Sequence, residues 1–245
     1  MHNPLSLRDK TILITGASDG IGRETAVECS RLGAKVIISG RSEKKLKETL
    51  SCLCNKGHFY SVADLTDADQ LNTLIDRSDS IDGIVHCAGV ARGRLVKDIT
   101  PEDLRLHFSI NFDAPMLLTA NLLLKNKINS RGSIVFLASL SPLIGTIGLS
   151  LYSSTKAALI AASKCLALEV ANKQIRVNCI APGQVDTEML NSLGSLQQFQ
   201  RVHYPFGIGK KIDVTNAIVF FLSDNSQKVT GNNFVMHGGY AKHHS

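Results

Sequence analysis

The feature that most restricts how this chain can fold is an alternation of compact apolar runs with longer segments of helical spacing, with a glycine-rich turn after the first run. Residues 11–15 (TILIT) lead straight into Gly16, Gly20 and Gly22. Residues 21–32 then repeat apolar positions at helical intervals, and Gly33 stands where such a helix ends. Residues 35–39, 58–62, 81–87, 132–138, 175–180 and 233–236 read as further strands. Helices are predicted from Ser42 and over 101–124, 151–171 and 213–223. Strands that are apolar without alternation are buried on both faces, and helices of this length suit crossovers between parallel strands. The predicted architecture is therefore α/β, a doubly wound parallel sheet of about seven strands with helices on both faces, and a ligand at the carboxyl ends of the strands. No linker, repeat or low-complexity tract divides it, so residues 1–245 are expected to form one domain, with about 187–208 as a substrate-covering loop.

Composition narrows the class. With 44% hydrophobic and 20% charged residues among 245, the chain is neither disordered nor collagen-like. Six cysteines without a C-x-x-C pair give neither a disulfide scaffold nor a zinc site, so no metal is expected. Residues 132–155 hold no charge, but six serines, three glycines and Pro142 make poor material for a lipid-embedded helix, and no membrane association is expected. The opening residues lack a basic-then-apolar leader, which together with free thiols points to the cytoplasm. A net charge of +6 suits an anionic ligand. Nucleic acid is disfavoured, because the basic residues are scattered and only 5% of the chain is aromatic.

The turn Gly16-Ala17-Ser18-Asp19-Gly20-Ile21-Gly22 follows a buried strand and opens a helix. Backbone amides at a helix N-terminus attract anions, and glycine admits a pyrophosphate where a Cβ would collide. Turns use glycine for other reasons too, so context carries this dinucleotide reading (a Rossmann fold). The second strand ends at Gly40-Arg41 with no acid before Glu43. An acid there would accept from ribose hydroxyls, whereas Arg41 offers a planar cation to a 2′-phosphate, which favours NADP, with NADPH preferred over NADH. A merely solvated arginine is the alternative, and Asp19 adds no second basic residue to the turn. Tyr152 and Lys156 are four apart and share a helix face, and Ser139 lies just past the fifth strand. A nearby ammonium lowers a phenol pKa from ~10, which would make Tyr152 a usable acid and base near neutrality. Alone, Y-x-x-x-K is a common surface pair.

These residues together resemble the short-chain dehydrogenase/reductase family, nearest in pattern to 3-oxoacyl-[acyl-carrier-protein] reductases. Asp64-Leu65, Cys87-Ala88-Gly89, Asn111 and Pro182-Gly183-Gln184-Val185-Asp186-Thr187 match as well, so the likeness spans about residues 7–240. The resemblance implies an oxidoreductase that reduces a ketone to a secondary alcohol or the reverse, with Asn111, Ser139, Tyr152 and Lys156 as the catalytic set. Tyr152 would be the proton donor and acceptor, Ser139 the carbonyl anchor, and Asn111 the support of a water path to Lys156. Lys156 would also meet the nicotinamide ribose, Asp64 and Leu65 the adenine, and Val185 and Thr187 the carboxamide. Cys87-Ala88-Gly89, Pro182 and Gly183 would complete the cofactor site. A homotetramer, a dimer of dimers through the helices at 101–124 and 151–171, is implied, as is an acyl-thioester or other small carbonyl substrate. Arg131, Lys173 and Arg176 are candidates to receive an acidic carrier. Leu190, Leu193, Leu196, Phe199 and Tyr204 are candidates for an apolar substrate lining or for ordinary packing. Departures from the family pattern are Cys87 in place of asparagine, Ile208 where relatives have arginine, and His237 before Gly238-Gly239 in place of an acid. Sugar, polyol or other alcohol dehydrogenases share these motifs, and a non-catalytic NADP sensor or scaffold is the rival from another class.

Overall fold

The computed structural model describes residues 3–191 and 204–240. Seven parallel strands form one sheet in the order β3-β2-β1-β4-β5-β6-β7. They are β1 (Thr11–Thr15), β2 (Lys35–Gly40), β3 (Phe59–Val62), β4 (Ile81–His86), β5 (Ile128–Leu137), β6 (Arg176–Pro182) and β7 (Asn233–Met236). The helices are α1 (Gly20–Arg31), α2 (Glu43–Ser51), α3 (Ala68–Arg77), α4 (Pro101–Phe108), α5 (Ala114–Leu124), α6 (Ser141–Ile144), α7 (Ser150–Glu169), α8 (Glu188–Asn191) and α9 (Lys211–Leu222). Side chains along β1 explain the layering. Ile12 and Ile14 enter one apolar cluster with Ala26 and Cys29 of α1 and Ile218 of α9, whereas Leu13 enters the opposite cluster with Leu74 of α3, Leu118 of α5 and Leu159 of α7. Burying each such aliphatic side chain contributes ~1.5–3 kcal/mol. The strand order reverses at β1, which has β2 on one side and β4 on the other, so the crevice for a ligand opens beyond the paired ends Thr15 and His86.

Three details differ from the sequence reading. The helix predicted over 101–124 is two helices joined by a π-helical turn at Ser109–Asp113. Pro115 has no N–H to return to the residue four before it, and the widened turn carries the Asn111 side chain inward, where it is fully buried. Strand β5 starts at Ile128, four residues early, with a register shift against β4 between Ile81 and Gly83. The polar, exposed residues Asn129, Ser130 and Arg131 that follow Ile128 concealed it. Helix α3 went unread although Asp67 caps it by accepting from the amides of Asp69 and Gln70, and Leu71, Leu74 and Ile75 mark its inner face.

Arg176 corrects an expectation. It is 6% exposed, and its guanidinium donates to the carbonyls of Phe221 and Ser223 and to the Ser226 hydroxyl. It satisfies carbonyls at the C-terminal end of α9 and offers nothing to a carrier protein. Arg131 and Lys173 are exposed, bonded to Gln174 and Asn126. Among the described residues, no helix is long and apolar enough to cross a membrane.

Candidate active site

The glycine turn is shaped first by the chain's own packing. Gly16 has φ +65°, and a Cβ on it would stand 2.7 Å from the Ala88 amide, while one on Gly22 would stand 2.4 Å from the Gly16 carbonyl oxygen. The turn is thus pressed against the Cys87-Ala88-Gly89 segment that leaves β4. The Thr15 hydroxyl joins the two strands as well, accepting from the Ala88 amide at 3.3 Å and donating to the Val85 carbonyl at 3.5 Å. At the head of α1, Asp19 accepts from the Gly20 amide at 2.7 Å and pairs with Lys45 at 2.8 Å. The Lys45 ammonium, aided by that amide, holds the Asp19 carboxyl down at about 2.

A cavity of about 600 Å³ opens over the crevice, and every residue nominated above for the cofactor lines it, from Gly16 through Arg41, Asp64 and Gly89 to Thr187. Asp64 accepts from the Thr66 hydroxyl and amide, which together with Arg41 nearby keep its carboxyl ionised below the usual carboxylate range. At the inner end, a Cβ on Gly89 would stand 3.2 Å from Asn111 Oδ1 and 3.6 Å from Lys156 Nζ, so a larger residue there would crowd the recess beside the ammonium. A groove that runs from a helix N-terminus past Arg41 on one side and to Tyr152 and Lys156 on the other fits an extended dinucleotide.

Ser139, Tyr152 and Lys156 share the wall of this cavity. Ser139 lies just past β5. Its hydroxyl accepts from the Ser141 amide at 3.1 Å and lies near enough to the Tyr152 phenol to influence its titration. Lys156, one turn along α7 from Tyr152, is 4% exposed and donates to the Leu137 carbonyl at 2.7 Å. Burial pulls its pKa down to about 8. Asn111 stands behind Gly89 and does not line the cavity. Its amide nitrogen donates to the Val90 carbonyl at 2.9 Å and to Thr155 Oγ1 at 3.1 Å, and its oxygen accepts from the Val90 amide at 2.8 Å. It fastens the Gly89-Val90 segment to α7.

The expected lowering of the Tyr152 pKa is not found. Burial pushes the phenol up, and the Ser139 hydroxyl only partly offsets this. The Lys156 ammonium lies 5.6 Å from the centroid of the Tyr152 ring and donates to the Leu137 carbonyl, and it makes no hydrogen bond to the phenol. His86 stacks on Phe136 with centroids 4.8 Å apart and has its Nε2 2.9 Å from Thr119 Oγ1, and burial keeps it neutral with a pKa of about 3. The Cys87 thiol is pushed up to about 12 by burial. Among the described residues there is no cluster of metal-ligating side chains.

Sequence reasoning missed Lys45 and Glu188, whose ion pair (3.3 Å) lies on the cavity wall. In the sequence Lys45 is one charge among several on a wet helix. Ile144, Thr146 and Leu149, also missed, line the cavity from the charge-free segment between β5 and α7. Leu190 and Tyr204 line it, whereas Leu193, Leu196 and Phe199 lie outside the described residues.

A parallel-sheet crevice that ends at a serine, a tyrosine and a lysine defines an oxidoreductase acting on carbonyl or CH–OH groups. Comparisons with known proteins agree. The family model described as enoyl-(acyl carrier protein) reductase matches residues 16–241. The chain is 34% identical over 237 residues to a 3-oxoacyl-[acyl-carrier-protein] reductase of Rickettsia felis, covering 96% of this chain and 98% of that one. It is 30% identical over 243 residues to the (2S)-[(R)-hydroxy(phenyl)methyl]succinyl-CoA dehydrogenase subunit BbsD of Thauera aromatica, with the same coverage. Among solved structures, a dehydrogenase/reductase from Sinorhizobium meliloti superposes with a TM-score of 0.91 at 27% identity, over 96% of each chain. This protein belongs to the short-chain dehydrogenase/reductase family.

Proposed function

We propose that the protein is an NADPH-dependent ketone reductase whose substrate is a 3-oxoacyl thioester. The observation that carries this is that Ser139, Tyr152 and Lys156 share one wall of the cavity, with Lys156 one helical turn beyond Tyr152. Two hydroxyls on one wall suit a ketone oxygen, which gains charge and then a proton when the carbon beside it accepts hydride. A bound nicotinamide dinucleotide supplies the hydride-transfer chemistry. The Ser139 hydroxyl donates to the substrate oxygen, and the Tyr152 phenol gives that oxygen its proton. In the oxidising direction the phenolate takes the proton back. A phenol held high by burial keeps its proton until charge develops on the substrate oxygen. Lys156, on the cavity wall beside Gly89, would hold the nicotinamide ribose, and Asn111 keeps the Gly89-Val90 segment in place beside it.

Arg41 on the cavity wall, with no acid at the end of β2, supports NADP over NAD. Ile144, Leu149, Leu190 and Tyr204 give the substrate end an apolar side that suits an acyl chain better than a sugar, and the names of the two relatives above include thioesters. Arg131 and Lys173 remain the basic residues for an acidic carrier. Exposed Ala157, Ala161 and Leu168 of α7 and Leu117 and Leu124 of α5 support packing between copies, in a homotetramer. The free cysteines support a reducing compartment, the cytoplasm.

The test follows NADPH absorbance with an acetoacetyl thioester and a panel of keto sugars. Tyr152→Phe should lower kcat ~10²–10⁴-fold with NADPH affinity unchanged. Arg41→Ala should weaken NADPH far more than NADH. Equal loss for both cofactors would refute NADP selection, and no turnover of any carbonyl by the parent protein would favour the sensor.

A further inference from the structure

Lys45 joins three elements that border the groove. It projects from α2, pairs with Asp19 at the head of α1 at 2.8 Å, and reaches Glu188 at the start of α8 at 3.3 Å. All three side chains lie on the wall of the cavity. The gap they span is already narrow, because a Cβ on Gly20 would stand 3.8 Å from the Thr187 methyl group. Any ligand that extends from Arg41 to Tyr152 passes the glycine turn here, beside Thr187 and Glu188. Asp19 and Glu188 put two carboxylates on this path, an arrangement that would repel phosphates unless the ammonium between them were structural to the site.

We propose that Lys45 and Glu188 form a clasp across the cofactor groove, positioning the first turn of α8 against α2 so that a bound dinucleotide leaves only after the pair opens. The proposal rests on the dinucleotide reading of the cavity. It assigns Lys45 and Glu188 to cofactor retention; neither touches the reacting atoms. The pair is solvent-accessible, with Lys45 44% and Glu188 76% exposed, which limits its worth to the range of surface ion pairs.

The test measures dinucleotide release by stopped-flow fluorescence, with displacement of bound NADPH and, separately, NADH. Glu188→Gln preserves shape and removes the charge. It should raise the release rate of both cofactors ~2–5-fold at low salt, an effect that fades in ~1 M salt. Lys45→Met should match it, the double variant should be no faster than either single one, and Lys45→Arg should restore slow release. Thermal melts confirm that the variants are folded. Slower release from Glu188→Gln would mean that its carboxylate acts by repelling phosphate, and unchanged or additive release rates would mean that the pair holds nothing; each overturns the clasp while leaving cofactor binding intact. If the parent protein binds neither dinucleotide, the clasp and the dinucleotide reading fall together. Arg41→Ala separates the clasp from cofactor choice, because it alters the NADPH-to-NADH ratio and the clasp does not.

Discussion

Lys156 is the group whose charge the fold should tax most. Its ammonium is buried on the cavity wall, donates to one carbonyl (Leu137, 2.7 Å), and has only thiols, not carboxylates, near enough to alter its titration. Burial lowers its pKa from 10.5 to about 8, and that difference corresponds to about 3 kcal/mol of preference for the neutral amine in the folded state. The sign follows. Below pH ~8 both folded and unfolded chains carry the proton, so the full penalty acts on the folded state. Between ~8 and ~10.5 the unfolded chain keeps the proton that the folded chain has released, so stability rises with pH until the penalty is gone. Lys156→Met has no such group. The stability of the parent minus that of Lys156→Met should therefore increase by up to about 3 kcal/mol between pH 7.5 and 10.5, at ~1.4 kcal/mol per unit in the steep part. The measurement is a pair of urea melts at each pH, at equal protomer concentration, so that other alkaline effects and assembly cancel in the difference. A difference that stays flat across this window would show that Lys156 titrates normally and that the buried geometry does not govern its proton.

Two further substitutions separate packing from function. Arg176→Leu should cost ~2–4 kcal/mol in a urea melt, because it strips donors from carbonyls at the end of α9; unchanged stability with a raised KM for a carrier-bound substrate would return Arg176 to the surface role first expected of it. Ala161→Arg, in the middle of the exposed face of α7, should reduce the mass seen by light scattering, and an unaltered mass would show that this face does not join copies.

How far the sequence revealed the structure depended on which residues decide each feature. Strands β1, β2 and β6 were readable because both of their faces are buried, so a continuous apolar run suffices. The glycine turn was readable because Gly16 and Gly22 are required by contacts within a few residues of the turn and with the end of β4. Spacing along α7 put Tyr152 and Lys156 together, since four residues on a helix return to one face. Features set by the third dimension escaped. The π turn depends on the buried amide of Asn111 meeting Val90 and Thr155, partners 21 and 44 residues away. Arg176 looked like a surface cation because its acceptors belong to a helix end some 45 residues later. Lys45 is indistinguishable from Lys44 and Lys47 until Asp19 and Glu188 are seen on either side of it. The titration of Tyr152 was misjudged for the same reason. Spacing supplies a neighbouring ammonium but not its direction, and here the ammonium turns toward the Leu137 carbonyl while burial acts on the phenol unopposed except by Ser139. The identity of the reacting groups is thus local information, whereas their protonation belongs to the assembled cavity.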